Sequence, residues 1–256
     1  MTDAIIMEAQ NLSKVFGGLI AVDDVSLQVK AQTMHAIIGP NGAGKTTLFN
    51  LLSGMMPPTT GKILYKGEDI THLPPQRRAH KGIGRSFQIT NIFPNLSVLE
   101  NIRLGSQALG KHNFNLMKPA DDFQEYIDKA MEVIEMVGLY GRESMLARNL
   151  PHGEKRKLEL GIMLAGEPEL LLFDEPTAGM SSEQVPELIE IINKVVREKN
   201  RTAILVEHRM DMVMSVSDTI TVMAQGRVLA EGSPQDIAHN KQVQSAYLGD
   251  LYGELA

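Results

Sequence analysis

The 256-residue chain contains no cysteine. No disulfide framework is therefore available, which fits a reducing compartment. Long hydrophobic runs are also missing. No apolar stretch approaches the ~20 residues of a membrane-spanning helix. The N-terminal Met1-Thr2-Asp3-Ala4-Ile5-Ile6 lacks a basic segment followed by a long apolar one, so no secretory signal is expected. A chain of this kind is expected to be soluble by itself and to meet any membrane through a partner. Net positive charge is absent as well: the formal charge is −6. The basic groups Arg77-Arg78 with Lys81, and Lys155-Arg156-Lys157, carry no interleaved aromatic residues, so both read first as solvated faces, the second also as able to attract a phosphate-bearing ligand of a partner, and no nucleic-acid partner is expected. Internal repeats and low-complexity tracts are lacking too. Hydrophobic residues make up 43% of the chain, enough for a sizeable core in one large or two small domains. Met210, Met212, Met214 and Met223 read as fillers of that core.

Against these absences stands one strong motif. Gly39-Pro40-Asn41-Gly42-Ala43-Gly44-Lys45-Thr46 satisfies the phosphate-binding pattern G-x-x-x-x-G-K-[ST] at every fixed position, and Thr47 follows. Ala36-Ile37-Ile38 precedes it as a strand and Thr46 to Leu52 follows as a helix, which is the context the motif needs. Glycines let the backbone curl so that successive N–H groups point at phosphate oxygens, and the helix adds the positive end of its dipole. Lys45 is placed to reach the β- and γ-phosphates of a nucleotide, with the Thr46 hydroxyl on Mg²⁺.

The rest of the chain organises around that loop. Residues 4–30 and 61–66 alternate apolar and polar positions in short β-like runs. Ala36–Ile38, Leu170–Phe173 and Ala203–Val206 are uniformly apolar, as in strands buried on both faces of a parallel sheet. A helical pattern covers Val185–Lys199, and the alternation implies an α/β core with right-handed crossovers. Residues 89–165 have helical segments such as Phe123–Val137 and few strand runs, and read as a largely helical insertion. Leu109–Ala120 is polar and aperiodic, an exposed loop. Near the C-terminus, Ser233 is an N-cap, Pro234 the first helical residue and Asp236 an acid in the first turn.

A second site element is Leu170-Leu171-Leu172-Phe173-Asp174-Glu175-Pro176. Four apolar residues deliver Asp174 to the carboxyl end of a buried strand, the edge where open α/β sheets bind ligands. Asp174 is placed to hold Mg²⁺ and Glu175 to polarise a water attacking the γ-phosphate.

Taken together these residues resemble the ATP-binding subunits of ABC transporters, along nearly the whole chain. That resemblance implies a P-loop NTPase core with a mostly parallel sheet, an antiparallel β subdomain and an inserted helical subdomain. The core would comprise 1–88 and 166–256, and the helical signature subdomain 89–165. It implies ATP and Mg²⁺ as ligands. Phe16, 29 positions before Lys45, matches the aromatic that stacks on adenine. Gln88, in Arg85-Ser86-Phe87-Gln88, matches the glutamine that meets water, Mg²⁺ and the membrane subunit, and with Phe93–Asn101 forms the coupling surface. Leu150-Pro151-His152-Gly153-Glu154 holds the signature position, with His152, Gly153 and Glu154 facing the nucleotide of an opposite subunit. His208, in Val206-Glu207-His208, matches the switch histidine, a catalytic role shared with Lys45, Glu175 and Gln88. The implied partners are transmembrane permease subunits, a second ATP-binding subunit (identical or paralogous) and an external solute-binding protein. The implied location is the cytoplasmic face of the inner membrane, held peripherally.

Within the family the chain resembles the branched-chain amino acid uptake group, through Phe16-Gly17-Gly18-Leu19, Ser86-Phe87-Gln88, Asn91-Ile92-Phe93, Ala178-Gly179-Met180 and Ala246-Tyr247-Leu248-Gly249. Groups handling urea, amides or exported lipopolysaccharide share parts of these phrases. Two positions depart from the family pattern. Its signature reads Leu-Ser-Gly-Gly-Gln, whereas Pro151 replaces the serine, removing a hydroxyl and an N–H. Two readings of Pro151 stand side by side: a good helix start, or a weakened contact to the opposite nucleotide partly offset by His152. Ser181 stands where an Asp or Asn is usual, in a loop that normally crosses the dimer interface. Three rival readings are a soluble ABC ATPase of DNA repair or translation, a small-molecule phosphotransferase, and a nucleotide-binding regulator without turnover. The first lacks its long coiled coil here, the second leaves Gln88 and His208 unexplained, and the third rests on Pro151 and Ser181.

Overall fold

The computed structural model describes residues 4–86, 92–108 and 124–246. Among the described residues, ten strands form two sheets. The first is antiparallel, in the order β2-β1-β4-β5, from β1 (Ile5–Phe16), β2 (Leu19–Lys30), β4 (Thr60–Tyr65) and β5 (Glu68–Asp69). The short runs expected over residues 4–30 are thus two 12-residue strands joined by the Gly17-Gly18 turn. Their alternation slips at register shifts between Ala9 and Leu12 and between Leu12 and Lys14, which is why the sequence pattern looks broken.

The second sheet has the order β10-β9-β3-β8-β7-β6. Its centre is β3 (Met34–Ile38), β8 (Thr202–Val206) and β7 (Leu170–Asp174), all parallel and buried at every position. This is the burial that uniformly apolar runs predict, since both faces are covered. β6 (Ile83–Arg85) extends the sheet in parallel beyond β7. β9 (Thr219–Ala224) pairs parallel with β3, and β10 (Arg227–Gly232) closes the other edge antiparallel to β9.

Helices cover both faces. α1 (Lys45–Ser53) packs Leu48, Phe49, Leu51 and Leu52 between the two sheets, against Ile37, Leu172 and Ile204. On the opposite face, Leu171, Phe173 and Leu205 meet α6 (Val185–Glu198), whose Leu188, Ile191, Ile192, Val195 and Val196 fall on one helical stripe. The same core continues without a break into α3 (Val98–Ala108), α4 (Gln124–Met136) and α5 (His152–Ala165). α7 (Met210–Val216) and α8 (Pro234–Ala238) cover Ala36, Ile38, Ile220 and Val222. Met212 and Met223 are buried, and Met210 and Met214 pack against the core, as expected. Ser233 caps α8 in a two-way box with Asp236. The expected loop at Leu109–Ala120, and Phe123, the first residue of the expected helical segment Phe123–Val137, lie outside the described residues.

α2 (Pro75–His80) corrects the reading of Arg77-Arg78-Lys81 as a solvated face. Arg77 is exposed, but Arg78 is only 1% exposed. Its five N–H donors reach the carbonyls of Leu51, Leu52, Ile70, Thr71 and Leu73 at 2.7–3.1 Å. Leu51 and Leu52 lie in the last turn of α1, so the guanidinium adds donors to its terminal carbonyls beside the Gly54 N–H that already reaches Leu51. Burial lowers its pKa to about 10, which still leaves it charged at neutral pH.

Candidate nucleotide site

The order β3-β8-β7 brings the carboxyl ends of three central strands side by side, and each ends in a predicted site residue. β3 runs into the loop 39–46. There Gly39, Ala43 and Lys45 are buried, while Asn41, Gly42 and Thr46 are exposed and Pro40, Gly44 and Thr47 half-buried. Gly44 caps α1 with φ 97°, and a Cβ there would stand 2.3 Å from the Ala21 carbonyl of β2. Only glycine meets both demands. The Lys45 Nζ donates to the carbonyls of Gly39 (2.7 Å) and Pro40 (2.8 Å), so the ammonium lies along the inside of its own loop. The β9–β10 turn braces the loop from outside. Gly226 donates to the Ala43 carbonyl at 3.0 Å and accepts from Asp23 N–H at 2.9 Å.

β7 ends at Asp174, which is 3% exposed. Its Oδ2 is buried without a hydrogen bond, the nearest cation being Arg85 Nη2 at 3.8 Å. Burial raises the Asp174 pKa, and Arg85 counteracts it. An unpartnered buried carboxylate oxygen at a strand end is a hard-oxygen donor that fits Mg²⁺, as is the exposed Thr46 hydroxyl at the start of α1. The backbone N–H of Asp174 is held by the Ser86 hydroxyl at 3.2 Å. Arg85 itself packs over the Phe49 ring, 4.8 Å from its centre, and donates to the Ser53 hydroxyl. Gln88 lies outside the described residues.

Glu175 follows with φ 49°, a left-handed backbone uncommon for a residue with a side chain. Its N–H donates to the Val206 carbonyl at 2.9 Å, tying the end of β7 to the end of β8. Two residues past Val206, the Nε2 of His208 lies 2.6 Å from Glu175 Oε1. Loop, aspartate, glutamate and histidine therefore share one sheet edge.

Phe16 ends β1 with its ring 46% exposed, so it is not a core residue. Lys14 Nζ sits 5.2 Å from the ring centre.

The residues 152–154, expected to face the nucleotide of an opposite subunit, open α5 on this chain, where His152 is exposed, Gly153 buried and Glu154 half-buried. The His152 ring lies over Gly179, Gly153 is covered by the Gln184 amide, and Glu154 pairs with Arg142 at 3.3 Å. The basic run behind them is also no solvated face. Arg156 and Lys157 are buried; Arg156 bonds Glu159 at 2.9 Å and the Ala178 carbonyl at 3.4 Å, and Lys157 pairs with Glu187 at 2.5 Å. Charge counting cannot see these partners, because they come from the segment 178–187 and from the next helical turn.

The comparisons with known proteins agree with this arrangement. The family described as "ABC transporter" matches residues 22–178. The chain is an ABC transporter ATPase. A second family, "Branched-chain amino acid ATP-binding cassette transporter", matches residues 227–251 of this ATPase. It is 38% identical over 250 residues to the high-affinity branched-chain amino acid transport ATP-binding protein LivG of Escherichia coli K12, covering 96% of this chain and 98% of that protein. BraF of Pseudomonas aeruginosa, described in the same words, is 39% identical over 250 residues with the same coverage. The ADP conformation of MJ1267, an ATP-binding cassette of an ABC transporter, superposes with a TM-score of 0.85 at 29% identity, over 96% of this chain and 99% of that one.

Proposed function

We propose that this ATPase drives a membrane importer of branched-chain amino acids from the cytoplasmic face of the membrane, together with permease subunits, a second ATP-binding subunit and an external solute-binding protein. The convergence of Lys45, Asp174, Glu175 and His208 on one sheet edge carries the hydrolytic part of this reading. The near-full-length similarity to LivG and BraF, with the match at 227–251, supports the solute class.

Phe16 offers its exposed ring to the adenine. The loop amides and Lys45 bind the β- and γ-phosphates, with Lys45 exchanging the carbonyls of Gly39 and Pro40 for phosphate oxygens. Thr46, Asp174 and Gln88 hold Mg²⁺, which neutralises phosphate charge when bound. Glu175 orients the attacking water and accepts its proton, while His208 holds Glu175 and the γ-phosphate in register. Positioning and charge stabilisation supply most of the rate. His152, Gly153 and Glu154 serve the nucleotide of the opposite subunit across a head-to-tail pair. None of the described helices is long and apolar enough to cross a membrane. A groove between α2, β6, α3 and α5, lined by Met55, Ala79, Ile162 and Met163, offers apolar surface to a permease segment.

The test is uptake of leucine, isoleucine and valine into vesicles carrying the reconstituted complex and its binding protein. ATP-dependent uptake that is lost in Glu175→Gln, while ATP binding persists and hydrolysis slows by about two orders of magnitude or more, is the expected result. Uptake indifferent to ATP, or specific to an unrelated solute, contradicts the reading.

A further inference from the structure

Glu207 joins the two loops that carry Glu175 and His208. It follows β8 and is only 3% exposed. Its Oε1 accepts from the Thr177 hydroxyl at 2.5 Å and from the Thr177 N–H at 3.2 Å; its Oε2 accepts from the His208 N–H at 3.1 Å. Thr177 is two residues past Glu175, and His208 carries the imidazole that meets Glu175 at 2.6 Å. The Glu175–His208 contact and the Glu207 bridge therefore close a ring between the ends of β7 and β8. A second tie, from Glu175 N–H to the Val206 carbonyl at 2.9 Å, lies inside that ring.

Such an acid is costly in this place. A buried carboxylate loses its hydration, and the donors found here are a hydroxyl and two backbone amides rather than a cation. A neutral side chain would fill the same space with less desolvation. What the carboxylate adds is two acceptor oxygens in a fixed fork, one for each loop. Glu175 needs that support, because a left-handed backbone at a residue with a side chain persists only where its surroundings hold it.

We propose that Glu207 is a positioning residue for ATP hydrolysis: its carboxylate locks the Thr177 and His208 backbones together and so keeps His208 Nε2 against Glu175. This rests on the roles given above to Glu175 and His208. The lock acts on the water-activating pair and not on the loop 39–46, so its loss lowers kcat and leaves ATP binding in place. Glu207→Gln is the direct probe. The amide still accepts from Thr177 through its oxygen, but its nitrogen cannot accept from His208 N–H.

The experiment measures steady-state Mg-ATP hydrolysis by the full chain in its transporter complex, together with the His208 ring signals of the ring-labelled full chain by NMR, assigned with His208→Ala. Glu207→Gln is expected to lower kcat by about tenfold or more with KM within about twofold, since small displacements of reacting groups act on turnover. The ring signals should move toward those of a free imidazole. Thr177→Val removes one donor and should lower kcat in the same direction, and Thr177→Ser should restore it. This pair carries the test if Glu207→Gln fails to fold. Glu175→Gln is run alongside. If it is slow while Glu207→Gln and Thr177→Val turn over within about twofold of the parent, the lock is refuted and the role of Glu175 stands. If Glu175→Gln itself turns over normally, both fall. A rise in KM at constant kcat, or Thr177→Ser no better than Thr177→Val, also overturns the proposal.

Discussion

A Cβ placed on Gly54 would stand 2.5 Å from the Nε of Arg78. Gly54 ends α1 with φ 79°, and the guanidinium fills the space that a side chain would need. The helix that begins at the phosphate-binding loop is therefore finished jointly, by its own Gly54 N–H on the Leu51 carbonyl and by an arginine 24 residues further on. A charge run in the sequence has become a buried cap.

The first prediction follows from that contact. Arg78→Met removes the guanidinium donors from the carbonyls of Leu51, Leu52, Ile70, Thr71 and Leu73, of which Leu51 and Ile70 keep a backbone donor, and should destabilise the fold by about 3 kcal/mol or more. Arg78→Lys should lie in between, because an ammonium has three donors for five acceptors. Gly54→Ala should also destabilise, through both φ and the clash. Urea unfolding of the three variants checks this; a Lys variant as stable as the parent would mean that the fork of bonds contributes little.

Much of this architecture is legible in the sequence where one residue type has one physical use. The loop 39–46 is readable because Gly39 and Gly44 are required by close backbone contacts, and β3, β7 and β8 are readable because burial on both faces leaves an unbroken apolar run. Contacts between segments distant in the chain are not readable. The Glu175–His208 bond depends on β8 lying beside β7, and the Glu207 bridge depends on a buried acid that sequence alone cannot tell from an exposed one. Arg156 and Lys157 were hidden for the same reason, as their partners Ala178 and Glu187 belong to another segment.

His35 gives a pH dependence of stability. Its ring on β3 is buried, with Nε2 2.8 Å from the Thr221 hydroxyl, which in turn donates to Glu231 at 2.7 Å. The hydroxyl has one proton and gives it to Glu231, so the His35 Nε2–H must be the donor to Thr221. Burial lowers its pKa from 6.5 to about 4. A lowered histidine pKa means that the unfolded chain binds the extra proton first, between pH 6.5 and about 4. Stability from this group is complete above pH 6.5 and is lost as the pH falls toward 4, by roughly 3 kcal/mol in all. Denaturant titrations across this window should show a shallower slope for His35→Gln. Parallel slopes would place the acid sensitivity elsewhere.

Phe16 should be separable from the core by its exposure. With 46% of the residue open, Phe16→Ala should leave the melting temperature nearly unchanged. ATP affinity should drop by about 1–2 kcal/mol, the scale of one base–aromatic stack. Phe16→Tyr should retain it. Calorimetric titration with ATP decides the matter: equal affinities in the parent and the Ala variant would take the adenine away from this ring.

Pro151 is the N-cap of α5, with ψ 158° and no side-chain hydrogen bond to the helix. A serine there has two possible uses for its hydroxyl. It can cap α5, worth about 1 kcal/mol, or it can donate to the phosphate of an opposite subunit, where a bond to a charged group contributes about 1.5–3 kcal/mol. Serine also restores the N–H that proline lacks. The exposed His152 ring beside Gly179 can offset part of the missing hydroxyl, but a side chain does not restore the backbone N–H. Pro151→Ser in the Glu175→Gln background should therefore strengthen ATP-dependent dimerisation. Pro151→Asp separates the two uses: its carboxylate caps the helix as well as serine does but repels phosphate. Thermal stability should rise in both variants, and the ATP-dependent dimer fraction, measured by sedimentation at matched protein and nucleotide concentrations, should rise only in the serine form. Equal dimer fractions in the parent, Ser and Asp forms would mean that Pro151 serves only to start its helix.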